Sequence, residues 1–254
     1  SLGPSRKAMK AMRLAMRNMH RYPDGGAYYL KKALSAKLNL KPEQLVPVNG
    51  SNEALELMGH VFLGPGRSIV MADRAFVVYR IIATGFQSGV VAVPMKNYTH
   101  DLEAMAGAIR PDTSIIFISN PNNPTSTMVG AREIEAFMQK VPDSVVVCFD
   151  EAYIELLPAK KQPDTLKYVR EGRNVVIMRT FSKTYGLAGL RIGYVAAPES
   201  CIALLNRVRQ PFNVNAMAME AAVAALEDDG HVRKTCRMVK KGIAFFETEF
   251  RRMG

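Results

Sequence analysis

The sequence predicts an α/β fold, a mostly parallel central sheet with helices on both faces. Two observations predict it. Short, near-continuous apolar runs such as Val145–Phe149 and Val175–Met178 read as strands buried on both sides. They alternate with longer stretches of helical period, as crossover connections require. The 254 residues suffice for one large domain, or one and a half ordinary ones, and 48% hydrophobic with 22% charged residues is a globular composition.

The elements follow in order. Ser5 opens a first helix to about Asn18, with Met9, Met12 and Met16 on one stripe read as core packing. Arg21-Tyr22-Pro23-Asp24-Gly25-Gly26 is a turn by composition, and a second helix spans roughly Tyr28–Leu38. Gly50-Ser51-Asn52-Glu53 opens a helix to about Leu63. Strands are expected at Ser68–Met71, Val90–Val93, Ser114–Ser119, Val145–Phe149, Val175–Arg179 and Arg191–Ala196. Helices are expected between them at Val77–Thr84, Leu102–Ile109 and Ala131–Lys140, and from about Glu199 to the end. No internal repeat or low-complexity tract is visible.

Composition narrows the function. The apolar runs are far too short to span a bilayer, so no membrane partner is expected. Ser1–Ser5 lacks a charged region followed by an apolar core, so no secretory leader is expected there. Cys148, Cys201 and Cys236 are odd in number and widely spaced, which suits a reducing, cytoplasmic compartment rather than a disulfide framework. His20, His60, His100 and His231 never fall at ligand spacing, so no metal site is expected. The net charge of +11 is dispersed over helical stretches, Arg6 to Arg17 and Arg233 to Lys241 among them. Attraction of small anions is a better use of it than nucleic-acid binding.

In an open parallel sheet, ligands sit outside the carboxyl ends of the strands. Three strand ends carry chemistry. Asn120-Pro121-Asn122-Asn123-Pro124-Thr125 follows the strand ending at Ser119, Asp150-Glu151-Ala152-Tyr153 the strand ending at Phe149, and Thr180-Phe181-Ser182-Lys183 the strand ending at Arg179. Singly each is weak, since an Asn-Pro run is usually a turn and a Ser-Lys pair is common. Their order and shared position give the set its weight.

With Gly186-Leu187-Ala188-Gly189-Leu190-Arg191-Ile192-Gly193 after the lysine, these motifs resemble the fold type I aminotransferases that use pyridoxal 5′-phosphate (PLP). Within them the chain is most similar to the histidinol-phosphate aminotransferase family. Leu2-Gly3-Pro4-Ser5, His20-Arg21-Tyr22-Pro23-Asp24 and Gly50-Ser51-Asn52-Glu53 match that branch too. The resemblance implies that Lys183 forms a Schiff base with PLP and then shuttles a proton between the substrate α-carbon and the cofactor. It implies that Asp150 holds the proton on the ring nitrogen, with Glu151 an adjacent rival beside the family position. Asn123 and Tyr153 would donate to the ring oxygen. Ser51 and Asn52 at a helix start, the Ser182 hydroxyl and the Arg191 guanidinium would hold the phosphate. Tyr22 would reach it from the partner subunit of a homodimer. Phe76 falls where the family places a ring stacked on the pyridine, or is a core phenylalanine.

The implied reaction takes an amino donor and a 2-oxo acid in turn, here histidinol phosphate and 2-oxoglutarate, giving imidazole-acetol phosphate and glutamate in histidine biosynthesis. Alternatives are an aromatic amino-acid aminotransferase or a threonine-phosphate decarboxylase of the same branch, and a PLP-sensing domain of a transcription regulator. Residues 1–208 are expected to form the large domain, 1–20 its N-terminal helical segment, and 209–254 interdomain helices and the start of a small domain. The resemblance implies that the chain begins inside a longer opening motif, and that relatives continue past Gly254 into substrate-gripping arginines. PLP binding with weak or no turnover is therefore expected of these residues alone. Two positions depart from the family pattern: Ser126 stands where a glycine is usual after Pro-Thr, and Arg74-Ala75 where Pro-Thr precedes the aromatic.

Overall fold

The computed structural model describes residues 2–254. In chain order its regular elements are α1 (Arg6–Ala15), α2 (Tyr28–Leu38), β1 (Leu45–Val48), α3 (Ser51–Phe62), β2 (Ser68–Ala72), α4 (Val78–Gly85), β3 (Gly89–Val93), α5 (Leu102–Gly107), β4 (Thr113–Ser119), α6 (Ala131–Met138), β5 (Val146–Asp150), α7 (Leu166–Arg170), β6 (Val175–Thr180), β7 (Gly193–Ala196), α8 (Glu199–Val208), α9 (Ala216–Leu226) and α10 (Asp229–Met253), with short 3-10 turns between some of them.

The strands form one sheet in the order β1-β7-β6-β5-β4-β2-β3. β2 to β6 run parallel to one another, while β7 is antiparallel to both β6 and β1. Among the described residues β7 is thus the one reversed strand, and the expected mostly parallel sheet is observed. The reversal matters for the site. The chain leaves the carboxyl end of β6 and re-enters the sheet at the same edge, so Lys183 and Arg191 both lie on that connection.

The central strands are rich in β-branched residues and buried, β4 and β5 along their whole length and β6 at all but Arg179. Their side chains alternate between two separate cores. Ile116, Ile118, Val147, Phe149, Val175 and Ile177 join the core covered by α1, α2, α5, α6, α7 and α9. Ile115, Phe117, Val146, Cys148, Val176 and Met178 join the core covered by α3, α4 and α8. The same parity carries past the end of β5, so Asp150 faces the second core and Glu151 the first.

Four expectations are corrected. β1 was not expected: its Pro47 argues against an interior strand, and β1 is indeed a sheet edge, where a missing N–H is tolerated. Arg191 lies outside β7, with a left-handed φ of 55°. The C-terminal region is not continuously helical, because α8 ends at Val208 and α9 starts only at Ala216, capped by Asn215. The methionine stripe of α1 is only partly core, since Met12 packs inward while Met16 is exposed and Ala8 is the helix's one fully buried residue. α10 buries only Thr235 and exposes Ile243, Phe245, Phe246, Phe250 and Met253. Among the described residues no helix is long and apolar enough to cross a membrane.

Candidate active site

The carboxyl ends of β4, β5 and β6 and the start of α3 enclose a cavity of about 170 Å³. Ser51, Asn52, Phe76, Asn123, Asp150, Tyr153, Ser182, Lys183 and Arg191 all line it, together with Ser119, Ala152, Thr180 and Ala188. Every same-chain residue expected to hold the cofactor is therefore in one place. Tyr22 is elsewhere, 83% exposed and stacked on Phe212 at 4.9 Å.

One end of the cavity suits an anion. α3 starts at Gly50, which offers no side-chain cap, and the nearby Glu53 carboxylate turns back to the Asn49 N–H. The Ser51 and Asn52 N–H groups at the start of this helix therefore lack a side-chain acceptor, and both residues line the cavity. Gly50 has a φ of 81°, and a Cβ there would lie 2.3 Å from Arg191 Nη2. A Cβ at Gly193 would lie 2.7 Å from the Arg179 carbonyl and 3.3 Å from the Ser51 nitrogen. Two glycines thus let the guanidinium and the helix start approach one cradle. Arg191 donates to the Ala188 carbonyl at 3.2 Å and keeps its other donors for a ligand. The Thr180 hydroxyl donates to Ser182 Oγ at 2.9 Å, which leaves the Ser182 proton for an acceptor in the cavity.

The Asn-Pro loop shows why only one of its three asparagines faces inward. Asn120 exchanges two hydrogen bonds with Val129, both 3.0 Å. Asn122 donates to the Arg74 carbonyl at 3.2 Å and to Thr125 Oγ1 at 2.8 Å. Both hold the loop, and Asn123 is left on the cavity wall. Ser126, the position where a glycine was expected, takes a left-handed φ of 61°. Arg74 contributes its carbonyl to this loop, while its side chain lies 5.8 Å over the Tyr98 ring.

At the other end Lys183 Nζ lies 5.4 Å from the Tyr153 ring centroid. Asp150 is buried and accepts hydrogen bonds from the Tyr79 hydroxyl at 2.7 Å and the Ala152 N–H at 3.2 Å. Burial pushes its carboxyl above the usual range, opposed by these two bonds and by the Lys183 charge. Glu151 points away, paired with Arg179 at 2.8 Å on the other side of the sheet. The structure therefore separates the two neighbouring carboxylates and leaves Asp150 as the one on the cavity. His100, which the sequence reading set aside, donates from Nε2 to the Ser119 carbonyl at 3.0 Å. Burial pushes it down to about 4, so it props the end of β4 as a neutral ring.

Tyr79 was missed. It is fully buried in the first turn of α4. A tyrosine in an apolar helical pattern reads as core, and its only sequence signal is its place three residues after Phe76.

The arrangement offers an amine, a buried carboxylate, an amide and a phenol around one end, and an anion cradle at the other. That donor set matches an aromatic ring carrying a carbonyl, an acidic oxygen, a basic nitrogen and a phosphate. Comparison with known proteins points the same way. A family model described as aminotransferase class I and II matches residues 1–253. The chain is 47% identical over 254 residues to a histidinol-phosphate aminotransferase of Moorella thermoacetica, covering all of this chain and 66% of that protein. It is 48% identical to one from Akkermansia muciniphila, covering 69% of it. The chain thus spans about two thirds of the length of the curated relatives it matches. A crystal structure of histidinol-phosphate aminotransferase from Sinorhizobium meliloti, in complex with pyridoxal 5′-phosphate, superposes with a TM-score of 0.90 at 27% identity, over 94% of this chain and 65% of that one.

Proposed function

The chain belongs to the aminotransferase class I and II family, and from that premise we propose that it carries the cofactor site of a histidinol-phosphate aminotransferase. The fold is that of the fold type I enzymes and the cofactor is pyridoxal 5′-phosphate. The observation that supports the site assignment is the convergence of all nine same-chain candidates on one cavity.

When bound, the cofactor supplies an electron sink for charge developing on a substrate α-carbon. The residues of this chain do the rest. Lys183 would hold the cofactor through its amine and would carry the proton lost from the substrate α-carbon. Asp150 would hold the proton on the ring nitrogen. Asn123 and Tyr153 would donate to the ring oxygen. Ser51, Asn52, Ser182 and Arg191 would hold the phosphate. Phe76 lines the cavity, which supports stacking on the ring over a purely core role.

The activity proposed for the whole protein is transfer of the amino group of histidinol phosphate to 2-oxoglutarate, and the compartment proposed is the cytoplasm. Residues 1–208 would form the cofactor-binding body and 209–254 the connection to a second domain, a reading supported by the helical break at 209–215. Tyr22 would complete the phosphate site of a second copy, which its exposure outside its own cavity supports.

The test uses the protein mixed with PLP. A visible absorbance band that survives gel filtration, is fixed on Lys183 by borohydride reduction and is lost in Lys183→Ala is expected. An unchanged band in Lys183→Ala would overturn the assignment. With imidazole-acetol phosphate as acceptor, turnover should exceed that with phenylpyruvate; the reverse would move the substrate to an aromatic amino acid.

A further inference from the structure

Asp150 closes the floor of the cavity with an unusual neighbour. Its Oδ2 accepts a 2.7 Å hydrogen bond from the Tyr79 phenol, a residue wholly enclosed by protein. The ring has little freedom. It stacks on Phe117 with centroids 4.6 Å apart and planes 3° from parallel. On its other side it meets Phe76 edge-on at 5.7 Å and 83°. The packed ring holds the hydroxyl oxygen beside Asp150, with the Ser119 side chain as its second polar neighbour.

We propose that Tyr79 is a positioning residue for the cofactor: its phenol fixes the Asp150 carboxylate at the cavity floor and stabilises its anionic form, so that the carboxylate can hold a cationic N–H in the cavity. This rests on the reading of the cavity as a PLP site.

Three features carry it. First, a carboxylate has about four acceptor directions, and Tyr79 and the Ala152 N–H use two of them. The remaining ones are free for a donor from the ligand. Second, Asp150 has no full cationic partner. Burial alone would favour its neutral form, which would compete as a donor with the ring N–H it is meant to accept. A hydrogen bond to the charged form opposes that. Third, the phenol is a one-way donor. Burial and the Asp150 charge push it well above its usual range, so it keeps its proton at any working pH. A lysine or arginine here would hold Asp150 ionised too, but would repel the cationic ring nitrogen. A neutral donor escapes that conflict.

Tyr79 also ties two walls together. Phe76 lines the cavity and packs against the Tyr79 ring, so the same residue supports that wall and holds the carboxylate.

The rival explanation is that Tyr79 is a core tyrosine whose hydroxyl merely needs a partner. Tyr79→Phe separates the two, because it keeps the stacked ring and removes only the donor. Binding is measured for PLP and for its analogue with carbon in place of the ring nitrogen, alongside thermal unfolding without ligand. The expected result is PLP binding weakened about 10-fold or more, as for a lost hydrogen bond to a charged group, with little change for the carbon analogue, which offers Asp150 no N–H. In an Asp150→Asn background, Tyr79→Phe should then add nothing to the loss of PLP affinity. Equal weakening for PLP and the carbon analogue, or no weakening for either, would overturn the proposal. Failure of the underlying reading looks different: the unaltered protein would then not bind PLP at all.

Discussion

Asp150 and Glu151 are consecutive carboxylates at the end of one strand, both buried, yet their surroundings are opposite in kind. Glu151 meets the Arg179 guanidinium at two nitrogens, each 2.8 Å away, and also accepts from the Thr165 hydroxyl. Its charge is cancelled inside the protein. Asp150 meets a phenol and one backbone N–H, and its charge is left over. Strand parity alone sends the two to different faces. The difference teaches that a structural carboxylate is closed by a fixed cation, whereas a functional one is kept short of a cation so that a ligand can supply it.

Removing each charge in turn should break this comparison most forcefully. Glu151→Gln strands the Arg179 guanidinium in the interior and should cost about 3–5 kcal/mol in unliganded unfolding free energy. Asp150→Asn removes a charge that burial disfavours, and should leave unliganded stability within about 1 kcal/mol or raise it, while PLP affinity falls. Urea unfolding of both variants without cofactor checks this. A larger loss for Asp150→Asn than for Glu151→Gln would invert the assignment of which carboxylate is structural.

Glu155 sharpens the comparison as an intermediate case. It lies in a short turn after β5, where the Cys236 thiol of α10 donates to its backbone carbonyl. Its Oε2 is buried without a hydrogen-bond partner. Burial pushes its carboxyl from 4.5 up to about 7, opposed by Arg179 and Lys37 and reinforced by Glu151. Between those two values the folded chain keeps a proton that the unfolded chain has lost, so stability should fall as pH rises through that window. Above about 7 the full cost applies, and below 4.5 it vanishes. Glu155→Gln should therefore be more stable than the unaltered protein at pH 8, by roughly 1–3 kcal/mol, and equal to it at pH 4. A constant difference across that range would show that the carboxyl does not titrate there.

How much of this was legible beforehand follows from where the information lies. The strand-end residues Asn123, Asp150 and Lys183 were readable because alternating apolar strands and helices force those ends to one edge of the sheet. Arg191 came with them through the resemblance, although its placement depends on the reversal of β7, which periodicity does not report. The choice of Asn123 over Asn120 and Asn122 needed the resemblance too, since all three look alike until the loop's hydrogen bonds are seen. Tyr79 was not readable: its function is a contact made 71 residues away in sequence with Asp150, and a buried aromatic in a helix gives no local sign of it. β1 was not expected: four residues that include a proline give little strand signal, and the strand is tolerated because it lies at the sheet edge.

The mildest test concerns the Asn-Pro loop, which presents Asn123. Ser126 donates its N–H to the Asn122 carbonyl at 2.9 Å and holds a left-handed φ of 61°. For a residue with a Cβ that conformation costs roughly 1–2 kcal/mol, and glycine escapes most of it. Glycine also frees the unfolded chain, which offsets part of the gain. Ser126→Gly should thus raise stability by about 0.5–1 kcal/mol without moving PLP affinity, because Asn120 and Asn122 already fix the loop through Val129, Arg74 and Thr125. A changed affinity would mean that the strain at Ser126 reaches Asn123, and that this wall of the cavity, unlike the floor formed by Asp150 and Tyr79, is set by backbone strain rather than by hydrogen bonds.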